Sequence, residues 1–593
     1  MLSRTLVGGV ALTLTLVASA PAAPPLSLTR LGTGGTPTFR DADPRIAEIN
    51  AYDPLGKRIY VVNPFDGRLD ILGASNPSAP TQEGSVDMVL DCTTALGAEC
   101  PLDAGIEPNS VAIHGSLMAV AVANPIRTSN GHAVFYRLRG ANAPRFLKAV
   151  EVGALPDMIT FTGDGRYALT ANEGEPSADY TVDPLGSVSI IDVARMGVHV
   201  RRSLGFWYGF WSDWFRDGND RDEDDDDWFW PRRHAAVRLV TFERFNDPDA
   251  RAQLEAAGVR VFGPGASVAQ DLEPEYITTL NDTAYVTLQE NNALAIIDID
   301  SARVQKVVAL GRKNHSLPEN ELDPSDRDGA GNTALTKLGT WPVFGLYQPD
   351  GIDAFTVKGR TYLITANEGD AREYSAYVEA VRVGSASYVL DPTAFPNAVD
   401  LKKNTALARL NASKASGDTD GDGDFDRIDI FGGRSVSIRD HLGRLVWDSG
   451  DMFERLSEQQ SGPGVTLFKT LFNTSSTENA ADGRSDDKGV EPESVVVGRV
   501  GNRLYAFVAL ERDGGLAVLD VSDPTAPVFV TYVNNRKFPV DGAGKLLPCS
   551  ANDCGDLGPE GLTFVPAAES PTGKPLLIIS YEVTSTTTIW QIN

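Results

Sequence analysis

Two stretches of the chain end an apolar run in an amide and a carboxylate. Residues 167–180 read YALTANEGEPSADY, and residues 362–374 read YLITANEGDAREY. Carboxylates placed at strand ends can hold a divalent cation, move a proton, or cap turns by accepting backbone N–H bonds. Arginines stand nearby: Arg372 follows the second copy, Arg512 follows Glu511 in ERDGG, and Arg484 lies in DGRSDD. With Glu368, these three form a candidate catalytic set, because guanidinium groups clamp a phosphate ester through paired hydrogen bonds. Each arginine is equally a local partner for a carboxylate.

A second constellation spells out its ligand more openly. Residues 416–430 read SGDTDGDGDFDRIDI. With Asp418 as position 1 of a twelve-residue loop, Asp420, Asp422, Asp426 and Asp429 take positions 3, 5, 9 and 12, Gly423 takes position 6, and Asp424 lies among them. Ca²⁺ needs about six to eight oxygens, and glycine permits the sharp turn between them. Position 12 holds Asp rather than Glu, and the following RIDIFGGRSVSI is strand-like, not helical. The reading is a free-standing calcium loop at 418–429; the alternative is a flexible acidic loop.

The elements that must position these residues form a repeat. Seven passes share one phrase, beginning near Ala47, Ile106, Leu155, Leu272, Gln348, Val490 and Gly558. A polar residue opens a strand, a turn follows, a second strand ends in Asn, Gln or Glu, and a third strand closes the pass. Each pass holds three or four strands of alternating apolar residues in roughly 40 residues, the size of a propeller blade. The expected fold is therefore an all-β, seven-bladed β-propeller of the YVTN/WD40-like kind with long loop insertions. SLTRLG near residue 30 is expected to complete the last blade.

In such a ring, two columns of side chains are expected to gather at one channel mouth. The first-strand column is Asn109, Asp157, Glu275, Asp350, Glu493 and Glu560; the second-strand column is Asn124, Glu173, Glu290, Glu368, Glu511 and Glu582. Like charges about 4 Å apart cost on the order of 4 kcal/mol at an effective dielectric of 20. Protonation, arginine partners or a bound cation must relieve that cost. The bland alternative is a set of turn-capping carboxylates.

Composition narrows the partners. The 593 residues carry a formal charge of −27, which argues against nucleic acid, whose phosphates need Lys and Arg. Arg4, the apolar stretch from Leu6 to Val17 and the small residues at 18–23 look like an export signal over residues 1–22. No later run approaches the ~20 apolar residues of a membrane span, and the C-terminus TSTTTIWQIN carries no hydrophobic tail. The expectation is a secreted or periplasmic protein, with cell-surface association open. Cys92 with Cys100 and Cys549 with Cys554 read as two local disulfides. The six histidines are scattered singly, and no cysteine nucleophile or GxSxG elbow is evident.

Three insertions interrupt the repeats, at about 196–262, 311–344 and 374–489. The first contains the Trp- and Asp-rich block 204–233, which reads as disordered, and then a short helix with Asp247 as N-cap, Pro248 at its first position and Gly258 as its stop. In the third, Asp482, Arg484, Asp486, Asp487 and Lys488 near Glu491 read either as an anion site or as a salt-bridged loop.

Taken together, TANEGEPSADY, VTLQENNALAIIDI, LDPSDRDG, TANEGDAREY, DGDGDFDRIDIFGGRS and RSDDKGVEPESV resemble the choice-of-anchor I family of exported bacterial proteins. That family is related to a sea-urchin mesenchyme-specific cell-surface glycoprotein and includes members described as atypical alkaline phosphatases. The resemblance covers most of residues 40–593 and implies a β-propeller at or outside the cell surface; it fixes no activity. Two functions follow. One is a non-catalytic, calcium-binding propeller with an extracellular or surface partner. The other is a metal-dependent phosphoesterase whose site is the acidic mouth.

Overall fold

A computed structural model describes residues 26–35, 47–196, 236–329, 331, 333, 336–460, 471–476, 481–539, 541, 547, 549 and 554–593. The expected export signal and the Trp- and Asp-rich block lie outside the described residues. The protein is all-β and propeller-like. Among the described residues, seven four-stranded antiparallel sheets succeed one another along the chain. Their first two strands are Asn50–Asp53 and Arg58–Asn63, Glu107–His114 and Leu117–Ala123, Pro156–Phe161 and Tyr167–Asn172, Ile277–Leu280 and Thr283–Leu288, Ile352–Val357 and Arg360–Asn367, Pro492–Val500 and Arg503–Leu510, and Pro559–Val565 and Leu576–Tyr581. The seventh sheet takes its outermost strand from the other end of the chain: Leu28–Gly34 pairs antiparallel with Thr586–Ile592.

The second strands explain the packing. Leu117–Ala123 and Tyr167–Asn172 are buried along their whole length, because both faces of each sheet meet a neighbour. The apolar cores accordingly lie between sheets, not within one. Val62 and Leu69 of the first sheet pack with Val120 and Val134 of the second; Leu363 of the fifth packs with Leu294 of the fourth. Ile59 and Val61 of the first pack with Ile578 and Ile589 of the seventh. The first strands follow the same succession: each touches the first strand of the next sheet, and Pro559–Val565 touches Asn50–Asp53. Outer strands such as Thr81–Asp87 are mostly exposed.

Two insertion boundaries read from the sequence need correction. Val237–Thr241, inside 196–262, is the fourth strand of the third sheet. Ser435–Asp440 and Leu445–Asp448, inside 374–489, complete the fifth sheet. The alternation Val436, Ile438 and the turn at 441–443 specify that hairpin, but the neighbouring aspartate loop obscured it. What remains of the second and third insertions packs into one body. A parallel pair, Val343–Leu346 with Ile428–Ile430, supports a core of Leu390, Leu407, Phe425 and stacked Tyr388. The helix Pro248–Ala257 has the expected caps: Asp247 accepts from the N–H of Asp249 and Ala250, and Gly258 sits at φ 96°. Both disulfides, Cys92–Cys100 and Cys549–Cys554, are formed.

Candidate metal centre

The two TANEG copies perform the same local task. Asn172 donates to the hydroxyls of Ser187 and Ser189 at 3.2 and 3.0 Å, and Asn367 donates to Ser435 and Ser437 at 3.1 and 2.8 Å. Each asparagine pins the end of its second strand to the third. The glycine then turns the chain in the left-handed region, φ 73° at Gly174 and 95° at Gly369. A Cβ at Gly369 would lie 2.2 Å from the Gly432 nitrogen, so only glycine fits there. Between asparagine and glycine, the glutamate is turned toward the axis. The two loops that follow then meet: the Ala376 N–H donates to the Ala178 carbonyl at 3.0 Å, and Tyr374 and Tyr180 pack edge to face at 5.3 Å.

The first-strand column is delivered by a different device. In six sheets a proline precedes the polar residue, as in Pro156–Asp157, Pro492–Glu493 and Pro559–Glu560. The pairing with the second strand shifts register at these positions. A bulge leaves the extra residue outside the ladder and re-aims its side chain. Gly558 takes positive φ freely before its proline, whereas Leu155, Gln348 and Glu491 are held in it before theirs. Strained backbone of this kind clusters where a structure holds functional groups in place.

These devices gather Asn109, Asp157, Glu275, Asp350, Glu493 and Glu560 around one chamber of about 260 Å³, together with Glu173, Glu290 and Glu368 of the second column. Glu511 and Glu582 stand behind this wall, close enough to raise the pKa of their neighbours Glu493 and Glu560. Asn124 does not line the chamber; its carbonyl caps a turn by accepting from the Ile126 N–H. Glu48, Glu175, Tyr276, Gln289 and Asp370 line it unanticipated. Glu48 was missed because the first pass lacks the proline; Glu175 and Asp370 lie beyond the glycine turns, where no strand periodicity reaches.

The chamber is an adverse place for charge. Glu275, Glu290 and Asp350 are each 8 % exposed and Glu493 9 %. Burial first, then neighbouring carboxylates, push the acids of Glu275, Asp350, Glu493 and Glu560 well above the usual range. Burial also lifts Asp157 to about 7 and Asp370 to about 8. Glu275 Oε2, Glu290 Oε2, Asp350 Oδ2 and Glu493 Oε2 have no hydrogen-bond partner among the described residues. One oxygen each from Asp350, Glu493 and Glu560 lie within 4.8 Å of one another.

Behind the chamber, a cavity of about 340 Å³ is lined by Arg372, Arg484, Lys488 and Arg512. None of the three candidate phosphate clamps is free of a carboxylate. Arg372 is buried against Asp271 and, at 3.0 Å, Glu273. Arg512 pairs with Glu491 and Glu511, both at 2.9 Å, and Arg484 with Glu491 and with Asp487 at 2.9 Å. Lys488 bridges Glu368 and Glu491. Burial would raise Glu491, yet Arg512, Lys488 and Arg484 hold it well below the usual range. The 482–488 stretch is thus a salt-bridged loop.

The aspartate loop is only partly gathered. Asp418, Asp420 and Asp426 bring oxygens within 4.8 Å, and Asp424 and Asp426 do so with Asp391; Asp422 belongs to neither group. Asp429 is a correction. It lies in a strand, buried, and is held by Arg427 at 2.6 Å, Arg312 at 3.1 Å and the Ser416 hydroxyl at 2.8 Å. Position 12 is therefore engaged by guanidinium groups: Arg427 lies two residues before it, and Arg312 reaches it from the strand Arg312–Asn314 of the same sheet.

A propeller-like, all-β fold with an acidic chamber on its axis defines the class. Within it, the chain belongs to the choice-of-anchor I family, whose domain matches residues 48–208 and 222–524. It is similar to Gigasin-3a of Magallana gigas, 28% identical over 198 residues, covering 32% of this chain and 66% of that protein. It is also similar to the mesenchyme-specific cell surface glycoprotein of Strongylocentrotus purpuratus, 27% identical over 329 residues, covering 48% of this chain and 40% of that one. The chain thus spans just under two thirds of one relative and two fifths of the other. Among solved structures it is similar to Kuenenia stuttgartiensis hydrazine synthase (TM-score 0.40, 11% identity, covering 94% of this chain and 97% of that chain). It is likewise similar to the WD40 repeats of RRP9 (TM-score 0.39, 8% identity, covering 97% and 99%). No helix among the described residues is long and apolar enough to cross a membrane.

Proposed function

We propose that this chain is an exported, seven-bladed propeller that binds calcium and presents its acidic axial mouth to an extracellular or cell-surface partner. The observation that carries the reading is the convergence of first-strand polar residues from successive sheets on one chamber. Seven blades are supported by the seven sheets, by the cores between them and by the pairing of Leu28–Gly34 with Thr586–Ile592. An extracellular setting is supported by the two disulfides and by the sea-urchin relative, a cell surface glycoprotein by name. Calcium has two candidate seats, the axial carboxylates and the loop acids Asp418, Asp420 and Asp426.

A metal-dependent phosphoesterase remains the second reading, because the acidic chamber shares Glu175, Glu290 and Asp370 with the cavity carrying Arg484, Lys488 and Arg512. Metal ions would activate water there and neutralise phosphate charge. Hydrolysis of a chromogenic phosphate ester, with and without chelator and added Ca²⁺, separates the two. The binder shows a calcium-raised melting temperature and no chelator-sensitive turnover. Chelator-sensitive turnover that Glu368→Gln abolishes establishes the esterase instead.

A further inference from the structure

We propose that Asp350, Glu493 and Glu560 hold one divalent cation, Ca²⁺ by donor type, on the axis of the molecule. The proposal deepens the axial reading above and does not depend on whether the protein binds a partner or turns over an ester.

Two neighbouring carboxylate trios make the case by contrast. Glu368, Glu491 and Glu511 also bring oxygens within 4.8 Å. Their charge is met by the protein itself: Lys488 at Glu368 and Glu491, Arg512 at Glu491 and Glu511, and Arg484 at Glu491. The axial trio comes from three different sheets and, among the described residues, no lysine or arginine pairs with it. Asp350 Oδ2 and Glu493 Oε2 are buried and unpartnered, and so is Glu275 Oε2 on the same chamber wall. Buried polar atoms are nearly always satisfied, so an orphan set of one sign calls for a ligand of the opposite sign.

The donors choose the ion. All are oxygens; among the described residues no histidine or cysteine lines the chamber, which removes the usual seat of zinc or copper. A chamber of about 260 Å³ has room for an ion and several waters, each occupying about 30 Å³ in the liquid. Irregular donors in a roomy site suit Ca²⁺, which accepts about six to eight oxygens in flexible geometry, better than Mg²⁺, which demands a tight octahedron. Tyr276, whose hydroxyl donates to Glu560 Oε1 at 3.4 Å, stands beside the trio. A lanthanide in this site would be sensitised by that ring.

The test uses the full chain, stripped with chelator, and two probes: CaCl₂ by calorimetry and TbCl₃ by tyrosine-excited luminescence. Asp350→Asn and Glu493→Gln each weaken calcium binding by about tenfold or more and remove the sensitised signal. Tyr276→Phe dims the luminescence at saturating terbium. Asp418→Asn leaves the luminescent site intact. The trio variants should fold, because each removes a repelling charge; their chelated melting temperatures are at or above wild type. Glu560→Gln gives the same losses through the third ligand and stands in should either of the others unfold. The proposal is overturned if wild type takes up no calcium, or if folded Asp350→Asn and Glu493→Gln keep wild-type isotherms and luminescence. It is also overturned if only Asp418→Asn loses the signal. Ester turnover decides the question of binder against enzyme and leaves this outcome untouched.

Discussion

The wall behind the axis and the chamber on the axis both bury carboxylates, but only the wall supplies them with arginine and lysine. In the wall, Asp271 and Glu273 face Arg372, while Glu491 faces Arg484, Lys488 and Arg512. In the chamber, Glu275, Asp350 and Glu493 keep an unpartnered oxygen each. A buried charge with its partner is costly to disturb; a buried charge without one is costly to keep. Removing a charge should therefore destabilise the wall and stabilise the chamber.

The largest effect is expected at Arg372. Its side chain is 1 % exposed, stacks over Phe262 at 4.5 Å, and neutralises two buried carboxylates. Arg372→Met should cost about 3–5 kcal/mol, seen as a fall in the urea midpoint. A neutral result would remove the distinction between the two regions. Lys488→Met should come next, at about 3 kcal/mol, the lower end of the same range, because Arg484 and Arg512 still hold Glu491. It should also enlarge the calcium-induced rise in melting temperature, since Glu368 and Glu491 lose the ammonium that stands where a cation would. Equal calcium shifts in wild type and variant would show that Lys488 fills no such place.

Glu275→Gln inverts the sign. In chelator it should raise stability on the order of 1 kcal/mol, by relieving part of a like-charge cost of ~4 kcal/mol per close pair. Saturating calcium should narrow or reverse that gain. A destabilised variant in chelator would mean that the chamber carboxylates are satisfied in the metal-free protein after all.

Much of this division was legible in the sequence, and the illegible part has physical reasons. The passes announced the sheets because each second strand, such as LMAVAVA at 117–123, is buried on both faces. The first-strand column was readable because a Pro–acid dipeptide opens the pass, and at Asp157, Glu493 and Glu560 it marks the bulge that turns the acid inward. The wall was harder. Arg372 reaches Asp271 across about a hundred residues, and no local pattern encodes that partner. The TANEG repeat also joins two jobs in one phrase: its asparagine clamps the sheet, and only its glutamate belongs to the site. Asp429 misled for the opposite reason, since its spacing fits a calcium loop while its strand neighbours supply arginines.

Asp323 asks whether missing counter-charge, rather than axial position, sets the sign. It is buried away from the chamber and accepts backbone N–H bonds from Lys337 and Ser325. Burial, then Asp482, raises its pKa to about 8. A raised folded pKa stabilises fully below the unfolded value, near 3.8, and that contribution is lost as pH rises through the folded value. Wild-type stability should therefore decline from pH 4 to pH 8 in part through this group. Asp323→Asn should flatten the decline, so the variant compares better with wild type at pH 8 than at pH 5. An identical pH slope in both proteins would place the liability on the axis alone.

The smallest effect is expected in the aspartate loop, although its sequence names calcium most plainly. Its carboxylates already have donors. Asp418 accepts from the N–H groups of Gly421 and Gly423, Asp420 from Asp422, and Asp426 from the N–H and hydroxyl of Thr419. The loop is largely exposed, so water screens the repulsion that burial magnifies in the chamber. Without calcium, Asp418→Asn should change stability by no more than about 0.5 kcal/mol. With calcium, its melting shift should fall short of wild type by the loop's share of binding alone. If Asp418→Asn removes the whole calcium shift while Glu493→Gln removes none, the motif rather than the chamber governs cation binding, and the contrast between wall and chamber concerns stability only.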